Sequence, residues 1–172
     1  MSRFDFERLS LLFVDDSTPM HAIMRTLLAA MRIKNVTFCE TGEQAQGAMR
    51  ICPPDIVITD WVMEPMSGYE FVRWVRTDES SPNPYTPIIM VTAYSAESEI
   101  VKARDAGVTE ILTKPLSVET LHNRIEMIID RPRPFVRTRE YFGPDRRRAD
   151  RPFQGEDRRR GDEHPDSAIG AS

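Results

Sequence analysis

Four short apolar runs in this chain each end on a side chain suited to chemistry, and that arrangement restricts the fold more than any other feature. Asp15 and Asp16 follow Leu11-Leu12-Phe13-Val14, Asp60 follows Ile56-Val57-Ile58-Thr59, Thr92 follows Ile88-Ile89-Met90-Val91, and Lys114 follows Ile111-Leu112-Thr113. Between the runs the apolar residues recur at helical spacing, so strands alternate with helices as in βαβ units around a parallel sheet. The strands are predicted at about 9–14, 36–39, 55–59, 87–91 and 109–112. In such a sheet the strand C-termini line one edge, and ligands bind where the strand order reverses. All five polar side chains are therefore expected in one small acidic pocket.

Caps and periodicity place the helices. Ser17 or Thr18 can cap the first, with Pro19 in its first turn and Met20, Ile23, Met24, Leu27, Leu28 and Met31 as a core stripe. A second is predicted over 42–50, ending before Pro53-Pro54, which cannot continue it. The third, about 67–77, carries Phe71, Val72 and Val75, with Trp74 leaning toward the surface. The fourth, about 95–106, ends at Gly107 as a left-handed cap. The fifth, about 117–129, starts at Ser117 and turns Leu121, Ile125, Ile128 and Ile129 to one side. Five strands and five helices make a (βα)5 sheet.

Charge divides the 172-residue chain unevenly: residues 1–130 hold 12 Lys and Arg against 19 Asp and Glu, net −7, whereas 131–172 hold 11 Arg against 8 acids, net +3. The second stretch has no Lys, few aliphatics and many Pro and Gly, too little apolar area to offset chain ordering. The expected organisation is a domain over 1–130 and an Arg-rich, disordered tail over 131–172. No stretch approaches the ~18 consecutive apolar residues of a membrane span, and Asp5 and Glu7 stand where a signal peptide would need an apolar core. A soluble, cytoplasmic protein is expected. Cys39 and Cys52 have neither metal-ligand nor CxxC spacing and read as reduced, half-buried packing residues.

Three carboxylates within a few ångströms repel one another unless a cation sits among them. Mg2+ takes oxygen ligands, so Asp15, Asp16 and Asp60 form a candidate site for it. Asp60, alone on the central strand, is the natural nucleophile, because an aspartate can attack a phosphoryl group to give an acyl phosphate. Lys114 would pair with one phosphoryl oxygen and Thr92 would donate to another. The chain has no Gly-rich phosphate cradle, which argues against nucleotide binding. Each piece alone has a plainer reading: Asp-Asp-Ser-Thr as a helix cap, and Lys114-Pro115 as a loop opening a helix. Their joint occurrence at successive strand ends favours the site.

In these residues the chain resembles the receiver domain of two-component response regulators, over about 1–130. The matching pieces are Val14-Asp15-Asp16-Ser17, Asp60-Trp61-Val62-Met63 with Met66 and Gly68 following, Val91-Thr92-Ala93, and Lys114-Pro115. The resemblance implies an α/β, flavodoxin-like (βα)5 doubly wound parallel sheet with strand order 2-1-3-4-5. It implies phosphorylation of Asp60 by a histidine kinase or phosphotransfer protein, Mg2+ held by Asp15, Asp16, Asp60 and the Val62 backbone carbonyl, and Thr92 and Lys114 reading the phosphoryl group. Such a protein is a signalling switch, not an enzyme acting on a separate substrate. Two positions depart from the family pattern. Glu64 stands where Pro is usual, with Pro65 following, so the loop after Asp60 is expected to differ in shape. Ile111 stands where an aromatic is usual, and Tyr94 is the nearest aromatic that could replace it. Val62 and Tyr94 would flank the path of an attacking water, and neither can orient it, so a long-lived phosphoryl group is expected.

The sequence after residue 130 reads as neither a DNA-binding nor a catalytic domain, so the signal is expected to leave by binding a downstream protein that prefers the phosphorylated conformation. The face of the fourth helix, fifth strand and fifth helix, exposing Glu97, Lys102, Arg104 and Arg124, is the expected surface and would also serve a homodimer. In the tail, Gly143-Pro144-Asp145-Arg146-Arg147-Arg148-Ala149-Asp150 recurs twelve residues later as Gly155-Glu156-Asp157-Arg158-Arg159-Arg160-Gly161-Asp162, a duplicated peptide motif too short for a solenoid. Its Arg clusters, with Phe135, Tyr141, Phe142 and Phe153 as stacking platforms, would suit nucleic acid, yet net +3 is weak for tracking a phosphate backbone. A solvated linker, a grip on a partner protein and a segment folded back on the acidic domain are the other readings. Two rival functions stand beside the phosphoacceptor: a pseudo-receiver platform, and a nucleic-acid-binding adaptor acting through the tail.

Overall fold

Two-residue periodicity along the strands decides which helices lie on which side of the sheet. A computed structural model describes residues 5–147. After a 3-10 turn at Phe6–Arg8, the chain runs β1 (Ser10–Val14), α1 (Thr18–Ala30), β2 (Asn35–Cys39), α2 (Gly42–Ile51), β3 (Ile56–Asp60), α3 (Gly68–Thr77), β4 (Ile88–Thr92), α4 (Glu97–Ala106), β5 (Glu110–Thr113) and α5 (Val118–Asp130). The five strands are parallel in the order β2-β1-β3-β4-β5, as the resemblance implies. Leu12 and Val14 pack with Met49 of α2, Phe71 and Val75 of α3 and Ala103 of α4. Leu11 and Phe13 point the other way, into Met24 and Leu28 of α1 and Leu121 and Ile125 of α5. β3 and β4 are buried on both faces, which is why their sequences are unbroken apolar runs and do not alternate.

Register then levels the strand ends. Val14 pairs with Thr59, Asp60 with Val91, and Thr92 with Thr113, so the residues that end each run arrive at one edge. Helix ends follow local chemistry. Ser67 and Glu70 form a reciprocal capping box on α3, and Ser117 and Thr120 do the same on α5. Gly107 takes φ 105° after α4, the left-handed cap expected of it.

Some details differ from expectation. Ser17 precedes α1, but its side chain makes no cap bond. Ile23 is 46% exposed, because it sits on the flank of the stripe centred on Met24, Leu28 and Met31. α4 begins at Glu97, two residues later than predicted. Cys39 is buried, whereas Cys52 at the C-cap of α2 is exposed.

The largest difference lies beyond α5. Instead of leaving the domain at residue 131, the chain forms an antiparallel pair, β6 (Phe135–Arg137) and β7 (Phe142–Pro144), and Tyr141 and Phe142 are only 9% exposed. Phe135 and Phe142 meet Tyr85 edge to face at 5.1 and 5.3 Å. Beneath them lies Arg76 of α3, which donates from Nε to Gly107 O at 2.9 Å and from Nη1 to Pro84 O and Thr86 O at 2.8 and 2.7 Å. Burial pushes its guanidinium down to about 9, still protonated at neutral pH. The expected tail is therefore corrected for 131–147: aromatic side chains supply apolar area that a count of aliphatics misses. These rings are used inside the protein and are not free platforms for bases. Residues 148–172, including the second copy of the repeat, lie outside the described residues.

Candidate functional site

The end of β1 delivers Asp15 to the edge and the first turn of α1 fixes it. Asp15 N donates to Cys39 O at 3.1 Å, its Oδ1 accepts from Ser17 N at 2.8 Å, and His21 Nε2 lies 2.6 Å from its carbonyl oxygen. The side chain is fully buried, and Oδ2 is buried with no hydrogen-bond partner among the described residues. Asp16, next along, is exposed.

Asp60 closes β3. Trp61 N donates to Val91 O at 3.2 Å and Gly68 N to Trp61 O at 3.0 Å, so β4 and the start of α3 hold the backbone on either side of the carboxylate. Glycine is required at 68: a Cβ there would run into Asp60 O and stand 2.9 Å from Trp61 Cα. One carboxylate oxygen from each of Asp15, Asp16 and Asp60 lies within 4.8 Å of the others. Lys114 reaches in from the end of β5, with Nζ 3.4 Å from Asp60 Oδ1 and 3.8 Å from Asp15 Oδ2. Its backbone N donates to Thr92 O at 2.9 Å, tying the last two strand ends together. Thr92 is buried, and its Oγ1 accepts from Tyr94 N at 3.0 Å. The five side chains expected at the edge are thus all there.

The electrostatics are those of a site short of positive charge. Burial pushes the Asp15 carboxyl up, against the pull of the Ser17 amide and Lys114. Burial likewise pushes Asp60 up, with Lys114 opposing and Asp15 reinforcing the shift. One ammonium serves three carboxylates. Together with the orphaned Asp15 Oδ2, this oxygen donor set fits a hard divalent cation such as Mg2+.

Two neighbours escaped the sequence reading. His21 sits one turn into α1 against the Asp15 carbonyl, and Glu99 Oε2 accepts the indole N–H of Trp61 at 2.8 Å. A buried Trp needs an acceptor for that N–H, which signals a partner for Trp61 but not that it lies on α4. Lys102, expected on the α4–β5–α5 face, instead pairs with Glu99 at 2.8 Å and lines a groove on the other side of α4 with Trp61, Val62 and Tyr94. On the expected face Arg124 is half-buried, because it and Arg133 both bind Glu110, at 3.1 and 2.7 Å. Ile111 packs against the core that includes α3 and α4.

The family model for the response regulator receiver domain matches residues 11–126. The chemotaxis protein CheY of Pseudomonas aeruginosa is 32% identical over 123 residues, covering 72% of this chain and 98% of that protein. The chemotaxis protein CheY-3 of Vibrio cholerae is 30% identical over 125 residues, 73% of this chain and 95% of the relative. Among solved structures, the chemotaxis response regulator CheY4 of Vibrio cholerae superimposes with a TM-score of 0.63 at 28% identity, covering 70% of this chain and 98% of that one. The family match runs from inside β1 to inside α5, across the sheet whose edge gathers the acids. On that footing the chain belongs to the response regulator receiver family, the phosphorylatable signalling domains of two-component systems.

Proposed function

We propose that Asp60 takes a phosphoryl group from a phosphohistidine on a histidine kinase or phosphotransfer protein, and that the phosphorylated form binds a downstream protein. The observation that carries this reading is the Lys114 ammonium 3.4 Å from Asp60 Oδ1 beside a buried Asp15 oxygen with no hydrogen-bond partner. An Asp60 oxygen attacks phosphorus, an O–P bond forms, and the P–N bond breaks with its electron pair leaving on the imidazole. Lys114 favours the ionised nucleophile and then neutralises a phosphoryl oxygen. Thr92 Oγ1 already accepts from Tyr94 N, so its own proton is left to donate to the incoming group. Mg2+, held by Asp15, Asp16, Asp60 and the Val62 carbonyl, would supply the remaining positive charge that phosphoryl transfer requires.

Output is assigned to the α4–β5–α5 face, where Ile100, Arg104, Ile111, Arg124 and Met127 line a groove of about 590 Å³. A partner that prefers the phosphorylated conformation would shift the population toward it, and a homodimer could use the same face. The relatives carry chemotaxis names, and this chain is read as a diffusible cytoplasmic switch of that kind, whose only chemistry is its own phosphoryl transfer and dephosphorylation. No helix among the described residues is long and apolar enough to cross a membrane. The test is acetyl phosphate with Mg2+ on the full chain, followed by intact mass. The natural chain is expected to gain one phosphoryl group, and Asp60→Ala or chelator treatment to prevent it. Equal uptake by Asp60→Ala, or no binding of beryllofluoride to the natural chain, would overturn the assignment.

A further inference from the structure

Next to the acidic edge, Val62, Met63, Glu64, Tyr69, Tyr94 and Glu99 help to line an open groove of about 780 Å³ between the loop after β3 and α4. Val62, Tyr69 and Tyr94 are 56, 42 and 58% exposed, three large apolar side chains turned to water around one depression. We propose that the second copy of the duplicated motif in this same chain docks there, with Phe153 in the groove and Arg158 on the carboxylates at the start of α4.

The first copy shows how the motif grips. The Arg146 guanidinium lies 4.1 Å from the Tyr141 ring centroid while its Nη1 stands 2.7 Å from Asp105 Oδ1 in the last turn of α4. Tyr141 donates from its hydroxyl to Pro144 O at 2.7 Å, and Asp145 Oδ1 accepts from Arg147 N at 3.0 Å. The unit is a clip: an aromatic, a Gly, an Asp and an Arg that covers its own aromatic and takes a carboxylate from α4. Phe153, Gly155, Asp157 and Arg158 repeat those four positions in order and spacing. The other end of α4 offers Glu97, beside Glu99, whose two oxygens already take the Trp61 indole N–H and Lys102.

Reach, exposed apolar surface and an available carboxylate select this groove. The described chain ends at Arg147, next to the Arg146 that is fastened to Asp105. From Asp105 back to Glu99 is about 9 Å of helix, whereas the residues from Arg147 to Phe153 can extend over about 20 Å. The competing groove between α4 and α5 presents Arg104, Arg124 and Arg133, and its Glu110 is already bound by two of them. Arg158 would find no unpaired carboxylate there, because Glu110 is taken on both oxygens. Along the Val62–Tyr94 groove Lys102 is the opposing cation, and it is paired with Glu99. If Asp60 is the phosphoacceptor proposed above, a segment seated on Val62 and Tyr94 also hinders water from reaching its phosphoryl group.

The test is a backbone amide NMR map of the full, unphosphorylated chain against Phe153→Ala and Arg158→Ala, both outside the described residues. Shift changes are expected at residues 61–69 and 94–102, unchanged on dilution. Changes that fade on dilution would make a second copy of the chain the occupant, and changes centred on 104, 111 and 124–127 would seat the segment in the other groove. Either result, or silence at 61–69 and 94–102, overturns the proposal. In a separate arm, Phe153→Ala is expected to speed loss of the Asp60 phosphoryl group several-fold. An unchanged rate beside a positive shift map would remove the shielding role alone. Failure of Asp60 to be phosphorylated would sink the phosphoacceptor reading and leave the map standing.

Discussion

Asp15 and Asp60 carry their charges where the fold disfavours them, and that cost can be measured. Burial raises both carboxyls above the ordinary 3.8, so the folded state binds protons more readily than the unfolded chain between the unfolded and folded values. The stability tied to the protonated form is complete below 3.8 and is lost as pH rises through the raised folded value. At neutral pH without divalent ions the folded site is therefore under electrostatic strain. Asp15→Asn keeps an oxygen to accept from Ser17 N and removes one charge. In chelator at neutral pH it is expected to raise Tm by roughly 3 °C, a gain that fades as pH is lowered toward 3.8. Added Mg2+ should stabilise the natural chain more than the variant, and melts followed by circular dichroism decide both points. Val62 and Tyr94 support a second prediction at this scale. Both are exposed beside the site and neither is an acid or an amide of the kind that orients an attacking water, so Val62→Asn with Tyr94→Glu should shorten the life of the acyl phosphate. Decay at the natural rate in the double variant would show that these positions do not govern access.

At the scale of the element, α3 is seated by its first residue. Gly68→Ala forces a methyl against the Asp60 carbonyl and the Trp61 backbone, so the helix start must shift away from β3. Such overpacking is expected to cost about 1–3 kcal/mol in urea unfolding, and to slow phosphoryl uptake by displacing Asp60. A stable variant with normal uptake would mean that the β3–α3 junction yields without moving the carboxylate. Much of this level was legible in the sequence, because strand parity, turn residues and caps act locally: Leu12 and Val14 against Leu11 and Phe13, Gly107 at a left-handed position, Ser117 before α5. The rotation of α4 about its axis was not. Its contributions to the core are the small Ala103 and Ala106, which mark its inner face weakly, and Lys102 was placed on the wrong side for that reason. Glu99 escaped notice because its partner, Trp61, lies on another element.

For the whole molecule, the decisive fact is that the chain past α5 is joined to the domain through side chains far apart in sequence. Tyr85 before β4, Arg76 in α3, Gly107 after α4, and Phe135 and Phe142 in the hairpin meet at the edge of the sheet remote from Asp60. None of these segments announces the others. The composition of 131–147 reads as a solvated linker because the surfaces its aromatics cover belong to earlier elements. Gly143 packs so closely that a Cβ there would stand 3.0 Å from Gly107 Cα, which ties the hairpin to the turn that launches β5. If the hairpin is part of one cooperative unit, Phe142→Ala must lower the stability of the entire domain. The expected loss is about 2–3 kcal/mol, from one large ring taken out of contact, in a single urea transition of unchanged steepness. Amide exchange should then quicken in β4 and β5, which belong to the sheet, as well as in β6 and β7. An appended hairpin behaves otherwise: exchange would quicken in residues 135–144 alone while the urea midpoint stayed where it was, and the fold would end at α5.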